Sequence, residues 1–96
     1  MFKKKTSIHL PEVEQGYICF MLWTLNKHPE EYRVRVIELC QEIAPGDDWK
    51  ILYQAITNRY RNLESISSEH FISKNKLRKW RTVFFETYAQ RYMRKK

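Results

Sequence analysis

The spacing of apolar residues constrains this chain most, because it follows a helical period over nearly the whole length. In its clearest stretch, apolar side chains recur at i, i+4, i+7, i+8 and i+11, which places them on one face of an α-helix. The residues of that stripe are Tyr32, Val36, Leu39, Cys40 and Ile43. No segment of useful length alternates between apolar and polar residues, so we expect no sheet. The pattern predicts an all-α fold.

Proline and turn residues divide this pattern into separate helices. The expected fold is a compact bundle of four main helices plus a short connecting helix. Pro11 and Pro29 are each followed by acidic residues, as at the first turn of a helix, where the missing N–H of proline costs nothing. A turn at residues 45–48 precedes a third helix, whose apolar stripe runs from Trp49 to Leu63. Three of the main helices are thereby assigned.

The C-terminal part of the chain holds the other two helices. Ser67 is predicted to cap one short turn of helix that runs through Phe71, and Ser73 is predicted to cap the last helix, from about Lys74 to Met93. The inner stripe of that helix comprises Leu77, Trp80, Phe84, Tyr88 and Tyr92. We expect a single helical domain over residues 10–96, preceded by a basic N-terminal arm at residues 1–9.

Composition favours a soluble cytoplasmic protein. The most apolar run, residues 17–23, has seven residues, whereas a membrane span needs roughly 20. Residues 1–5 are basic, but no apolar segment of signal-peptide type follows them. Cys19 and Cys40 lie inside helical patterns and are interpreted as free thiols in a reducing compartment, although the sequence does not fix their separation in space.

Positive charge is concentrated at the C-terminal end. The formal net charge is +7. Residues 73–96 contain nine basic residues against one acid, a net of +8, while residues 1–72 contain nine basic and ten acidic residues, a net of −1. Such polarity favours a polyanionic partner, which can be nucleic acid, an anionic membrane surface or an acidic protein.

On a helical wheel the charges of the last helix form an outward surface. At about 100° per residue, Trp80, Phe84 and Tyr88 fall within about 60° of Leu77, and most polar residues fall opposite. Arg81 is the exception, since it falls near the apolar stripe and is expected to extend along it or to stack on an aromatic ring. We call the predicted nucleic-acid-binding surface the basic face; it comprises Ser73, Lys74, Asn75, Lys76, Arg78, Lys79 and Thr82.

The segment from Ile72 to Trp80 resembles the start of the recognition helix in helix-turn-helix DNA-binding domains, including those of transposases and resolvases. An apolar Ile72, a capping Ser73, a buried Leu77 and a following Trp80 match that pattern. The resemblance covers about residues 60–81 and implies a basic face that enters a major groove. The sequence departs from the pattern at the turn, where Phe71 stands in place of a glycine, and at His70, where an apolar residue is usual.

Signatures of catalysis or cofactor binding are missing from the sequence. His9, His28 and His70 are far apart and lack metal-ligand spacing, so we expect no metal site. The paired acids at residues 30–31 and 47–48 are explained by helix starts. With two glycines in the whole chain, a phosphate-cradling loop is not possible. We expect no enzyme, no cofactor and no small-molecule substrate.

The sequence therefore predicts a small DNA-binding protein, a transcription regulator or a mobile-element accessory factor, that uses the basic face. The first alternative is a non-catalytic adaptor whose basic helix docks on an acidic protein or on a membrane surface. The acidic remainder of a second copy is one such partner, so a homodimer is an open alternative. RNA binding shares the charge argument and stands as a third hypothesis.

Overall fold

The structure, a computed structural model, describes residues 10–58, 60 and 62–93. Those residues form helices without any strand, which confirms the all-α bundle. The five α-helices are α1 (Glu12–Trp23), α2 (Glu30–Ile43), α3 (Trp49–Thr57), α4 (Leu63–His70) and α5 (Lys74–Tyr88). The 3-10 turns Leu25–Lys27 and Gly46–Asp48 join the early helices, and the π turn Ala89–Met93 extends α5. The predicted arm at residues 1–9 lies outside the described residues.

The first two helices begin directly after the two prolines, one residue later than predicted. Pro11 and Pro29 both have extended backbone, with ψ of 149° and 150°, and each precedes the first helical residue. Acidic side chains occupy both first turns, where the positive end of the helix dipole favours them. None of the described helices combines the length and the apolar character needed to cross a bilayer.

The predicted end of the third helix is wrong, because α3 ends at Thr57 rather than at Leu63. Asn58 has extended backbone, and its side-chain Oδ1 accepts a hydrogen bond from the N–H of Tyr60 at 3.0 Å. Such a local bond gives the backbone an alternative to the helix. Tyr60 is 89% exposed, so it belongs to no buried stripe, and Leu63 is the first residue of α4.

The predicted cap of the short connecting helix is wrong as well. Asn62, not Ser67, caps α4, since its Oδ1 accepts a hydrogen bond from the N–H of Ser65 at 2.8 Å. Ser67 lies inside the helix, where its hydroxyl donates to the carbonyl oxygen of Glu64 at 3.0 Å. The connecting helix is therefore longer than predicted, and it starts four residues before Ser67.

The turn between α4 and α5 forms without a glycine. Phe71 adopts the left-handed conformation, with φ 54° and ψ 40°. The N–H of Ile72 donates to the carbonyl of Ser67 at 3.0 Å and the N–H of Phe71 donates to that of Ser68 at 3.4 Å, which is the bonding of a Schellman motif. The ring of Phe71 is 96% exposed, so no burial offsets the unfavourable backbone.

Phe71→Gly is therefore expected to stabilise the protein. Glycine has no Cβ to clash in the left-handed region, which costs other residues about 1–2 kcal/mol, although it adds freedom to the unfolded chain. We expect a net gain of about 0.5–1 kcal/mol and a rise in Tm of about 2–8 °C in a domain of this size. Phe71→Ala is the control, because alanine keeps the backbone penalty. A Tm for Phe71→Gly at or below that of Phe71→Ala contradicts this account of the turn.

Packing around α5 fixes which of its sides faces outward. Ser73 caps the helix as predicted, accepting from the N–H of Lys76 at 3.4 Å. Leu77 and Phe84 are fully buried, and Phe84 stacks on Tyr88 with ring centroids 5.9 Å apart. The helix packs on α2, α3 and α4. Of the predicted inner stripe, Trp80 is half-buried and Tyr92 is exposed at the end of the helix.

One side of α1 is exposed, although its apolar residues cover more than one face of the helix. Ile18, Met21 and Leu22 are buried in the core. Val13 and Phe20 are 82% and 55% exposed, respectively. Together with Tyr17, which is 51% exposed, they form what we call the α1 stripe.

Candidate nucleic-acid interface

The basic face is exposed over almost its full extent. The side of α5 that carries this surface faces solvent, because Leu77 and Phe84 on the opposite side are buried in the core. Thr82 is half-buried, so it lies at the border of this surface rather than within it. The exposed members are Ser73, Lys74, Asn75, Lys76, Arg78 and Lys79.

The carboxylates of the described residues leave most of this charge unpaired. Lys74 lies 3.9 Å from Glu64 on α4, and both side chains are largely exposed. An exposed pair of that kind contributes about 0–1 kcal/mol and is screened by salt. Within the described part of the chain, Lys76, Arg78 and Lys79 form no ion pair. Their charges are available to an anion from outside.

The start of α5 adds to the positive potential. The first backbone N–H groups of a helix have no partner within it, and the helix dipole is equivalent to roughly half a positive charge at that end. Lys74, Lys76, Arg78 and Lys79 all lie in the first two turns. Side-chain cations and the helix end therefore favour an anion at the same place.

On the α2 side the basic face borders a cleft of mixed charge. The cleft has a volume of about 610 Å³ and lies between α2 and α5, with Lys76, Lys79 and Trp80 on its α5 wall. The ammonium of Lys76 lies 5.1 Å from the ring centroid of Trp80, a cation–π distance. On the far side of the cleft Glu42 pairs with Arg91 at 2.9 Å, and this hydrogen bond lowers the pKa of the carboxyl.

Arg81 does not belong to the basic face. It is half-buried, and burial, reinforced by the positive charge of Arg78, lowers the pKa of its guanidinium. Its Nε is enclosed and has no hydrogen-bond partner in the described part of the chain. The helical wheel predicts that Arg81 lies near the apolar stripe. It does not predict that a donor atom of this side chain lacks a hydrogen-bond partner.

The structure describes the segment that carries the helix-turn-helix resemblance, and the resemblance itself stays a prediction. Ile72 is half-buried, Ser73 caps α5, Leu77 is buried and Trp80 is half-buried. The helix α4 packs on α5, and the left-handed Phe71 supplies the sharp connection for which the pattern usually has glycine. The lack of a glycine at residue 71 therefore makes the turn energetically less favourable but does not prevent it from forming.

Other kinds of site find little support. No group of three or more histidine, cysteine or acidic residues within metal-binding distance exists among the described residues. Cys19 and Cys40 form no disulfide bond in the described part of the chain. Cys40 is buried, and burial raises the pKa of its thiol to about 12, so it is not a nucleophile near neutral pH.

No protein-family model, no curated protein and no solved structure matches the chain. Four cations lie on the first two turns of one helix, and three of them form no ion pair within the described residues.

Proposed function

We propose that this protein binds duplex DNA through the basic face and has no catalytic activity of its own. The observation that carries the proposal is the cluster of exposed cations at the start of α5, of which Lys76, Arg78 and Lys79 form no ion pair among the described residues. A site of this kind suits the phosphate backbone, which supplies much of the affinity of DNA-binding proteins.

Duplex DNA is favoured because a helix carries the charge. The major groove of B-form DNA admits an α-helix, whose N-terminal residues then contact base edges. In that position Arg78 is suited to guanine or phosphate, and Asn75 is suited to adenine. These two contacts are the most informative for any sequence preference.

Single-stranded RNA is a weaker candidate. Sequence-tolerant binding of single strands relies on exposed aromatic rings beside cations. In α5 the rings of Phe84, Phe85 and Tyr88 are buried, so they are not available for stacking. The groove of A-form RNA that corresponds to the DNA major groove is too narrow for side chains to read. Duplex DNA is therefore the preferred partner, and the corresponding role is that of a regulator or a mobile-element accessory factor.

A gel-shift panel tests the proposal. The probes are duplex DNA, the separated single strands and a duplex RNA of the same sequence, each at low and near-physiological salt. We expect retardation of duplex DNA at the lowest protein concentration, with a marked loss at the higher salt. Equal or tighter binding of either RNA or single strands contradicts the proposal.

The α1 stripe supports a second candidate, a protein-interaction module. Val13, Tyr17 and Phe20 expose apolar surface at the i, i+4, i+7 spacing of a single helix face. Such a face suits a partner helix or a second copy of the chain. Two results together support this candidate over DNA binding. The protein retards none of the nucleic acids in the gel-shift panel, and light scattering at low salt gives the mass of a dimer.

A further inference from the structure

A cavity of about 360 Å³ is lined by residues of α1, α3, α4 and α5 and of the α3–α4 connection. Its apolar wall includes Trp23 of α1, Leu63 of α4 and Phe85 of α5. The polar part includes Arg81 of α5 and two amides of the α3–α4 connection, Asn58 and Asn62. The volume falls within the usual range for small-molecule pockets, about 300–1,000 Å³.

Arg81 is the unusual residue of this cavity. A half-buried guanidinium normally pairs with a carboxylate, because an uncompensated buried charge is costly. Among the described residues no carboxylate pairs with Arg81, and its enclosed Nε has no hydrogen-bond partner. The Nε itself is enclosed and out of reach of a ligand, so the exposed end of the guanidinium, which forms no hydrogen bond or ion pair among the described residues, is the part that can take a partner from outside the chain.

Two further donors lie at the same wall. The Oδ1 of Asn58 accepts from the N–H of Tyr60, and the Oδ1 of Asn62 accepts from the N–H of Ser65. Both amides thus use their oxygen within the chain, and their NH₂ groups form no hydrogen bond among the described residues. The polar part of the cavity therefore offers donors, one of them charged.

We propose that this cavity binds a small carboxylate with a flat apolar body, such as an aromatic acid. The planar guanidinium matches a carboxylate in a two-point hydrogen bond, and an amide N–H can donate to the same oxygens. The apolar wall formed by Trp23, Leu63 and Phe85 accommodates the ring. A bare phosphate or sulfate satisfies the donors but leaves the apolar wall uncovered.

This site differs from the DNA surface and does not depend on it. Arg78, one turn earlier in α5, is exposed, whereas Arg81 is half-buried and lines the cavity. The protein can therefore bind the carboxylate whether or not the basic face binds DNA, and the experiments below use no nucleic acid.

Titration calorimetry with benzoate, benzamide and inorganic phosphate as probes tests the site. Benzamide has the ring of benzoate without the charge, and phosphate has the charge without the ring. We expect benzoate to bind at least about tenfold more tightly than either, because a charge-assisted hydrogen bond is about twice as strong as a neutral one and only benzoate also covers the apolar wall. Equal binding of benzoate and benzamide, or no measurable binding of benzoate, overturns the proposal. Tighter binding of phosphate than of benzoate overturns the claim that the ligand has an apolar body.

Two substitutions at Arg81 and one control locate the site. Arg81→Met is expected to weaken benzoate binding at least about tenfold, and Arg81→Lys to retain part of it, since lysine keeps the charge but not the planar fork. Arg33→Met removes an exposed arginine of α2 that does not line this cavity. Circular dichroism checks that each variant is folded. Unchanged benzoate binding by Arg81→Met, or an equal loss in Arg33→Met, places the ligand elsewhere and overturns the proposal.

Cys19 supplies a readout that needs no variant, because it lines the same cavity. It is half-buried, whereas Cys40 is buried, so alkylation of Cys40 reports unfolding and not ligand binding. Saturating benzoate is expected to slow the alkylation of Cys19 by iodoacetamide several-fold, as followed by peptide mass spectrometry, and benzamide at the same concentration is not. An alkylation rate that benzoate leaves unchanged contradicts occupancy of the cavity.

Discussion

The simultaneous replacement of Lys74, Arg78 and Lys79 by Ala is expected to lower the affinity for duplex DNA by at least about 100-fold. Each removed cation costs roughly 1 kcal/mol or more of charge-assisted contact with phosphate or base, and about 1.4 kcal/mol corresponds to a factor of ten. The fold is expected to survive, because all three side chains are exposed and Lys74 alone forms an ion pair in the described part of the chain. Fluorescence anisotropy with a labelled duplex measures the change.

Net charge alone provides a competing explanation, so the control removes the same charge elsewhere. Lys27, Arg33 and Lys50 are exposed and lie outside α5. Their joint replacement by Ala lowers the formal net charge of +7 by the same three units. We expect this variant to lose less than about tenfold in affinity, since long-range attraction is screened within roughly 10 Å at 0.1 M salt. Equal losses in the two triple variants show that the basic face is not the site.

The second large effect concerns stability. Phe84→Ala is expected to reduce the free energy of unfolding by about 3–5 kcal/mol, because Phe84 is fully buried and its ring packs against Phe85 and Tyr88. A domain of this size has a total stability of roughly 5–15 kcal/mol, so the expected loss is a substantial fraction of it. Urea denaturation followed by circular dichroism gives the value from the shift in midpoint.

Val83 provides the matched control for this prediction. It is the preceding residue in α5 and is 39% exposed. Val83→Ala is expected to change the free energy of unfolding by about 0.5 kcal/mol or less. A loss for Phe84→Ala that is no greater than that for Val83→Ala contradicts the orientation of α5, and with it the outward direction of the basic face.

Where a single mechanism determines structure, the sequence was sufficient to predict it. Ser73 caps α5 because its hydroxyl can accept from a free backbone N–H, and this needs only local chemistry. The burial of Leu77, Phe84 and Tyr88 follows from their helical spacing. The exposure of the basic face then follows, because the opposite side of a helix whose apolar stripe is buried must face water.

Predictions failed where two local mechanisms compete. The spacing of Tyr60 and Leu63 extends the stripe of α3, but the side chain of Asn58 stabilises a turn that ends the helix. The sequence also made no prediction for the backbone of Phe71, which occupies a conformation that favours glycine because the packing of α4 and α5 and the hydrogen bonds of the turn outweigh its local preference. Neither outcome can be read from the residues themselves.

The rest depended on the packing of distant segments. The apolar residues of α1 cover several faces, and only the placement of the other helices decides that Ile18 is buried while Val13 is exposed. The cavity at Arg81 is likewise formed by α1, α3, α4 and α5 together, and no single segment predicts it.

The most direct test of the account is the salt dependence of duplex DNA binding. If the four cations Lys74, Lys76, Arg78 and Lys79 each neutralise a phosphate, a plot of the logarithm of the association constant against the logarithm of salt concentration has a slope of about −3.6, and removal of three of them makes the slope less negative by about 2.7. A wild-type slope near zero, or the same slope in the Lys74, Arg78 and Lys79 triple variant, contradicts binding through the basic face.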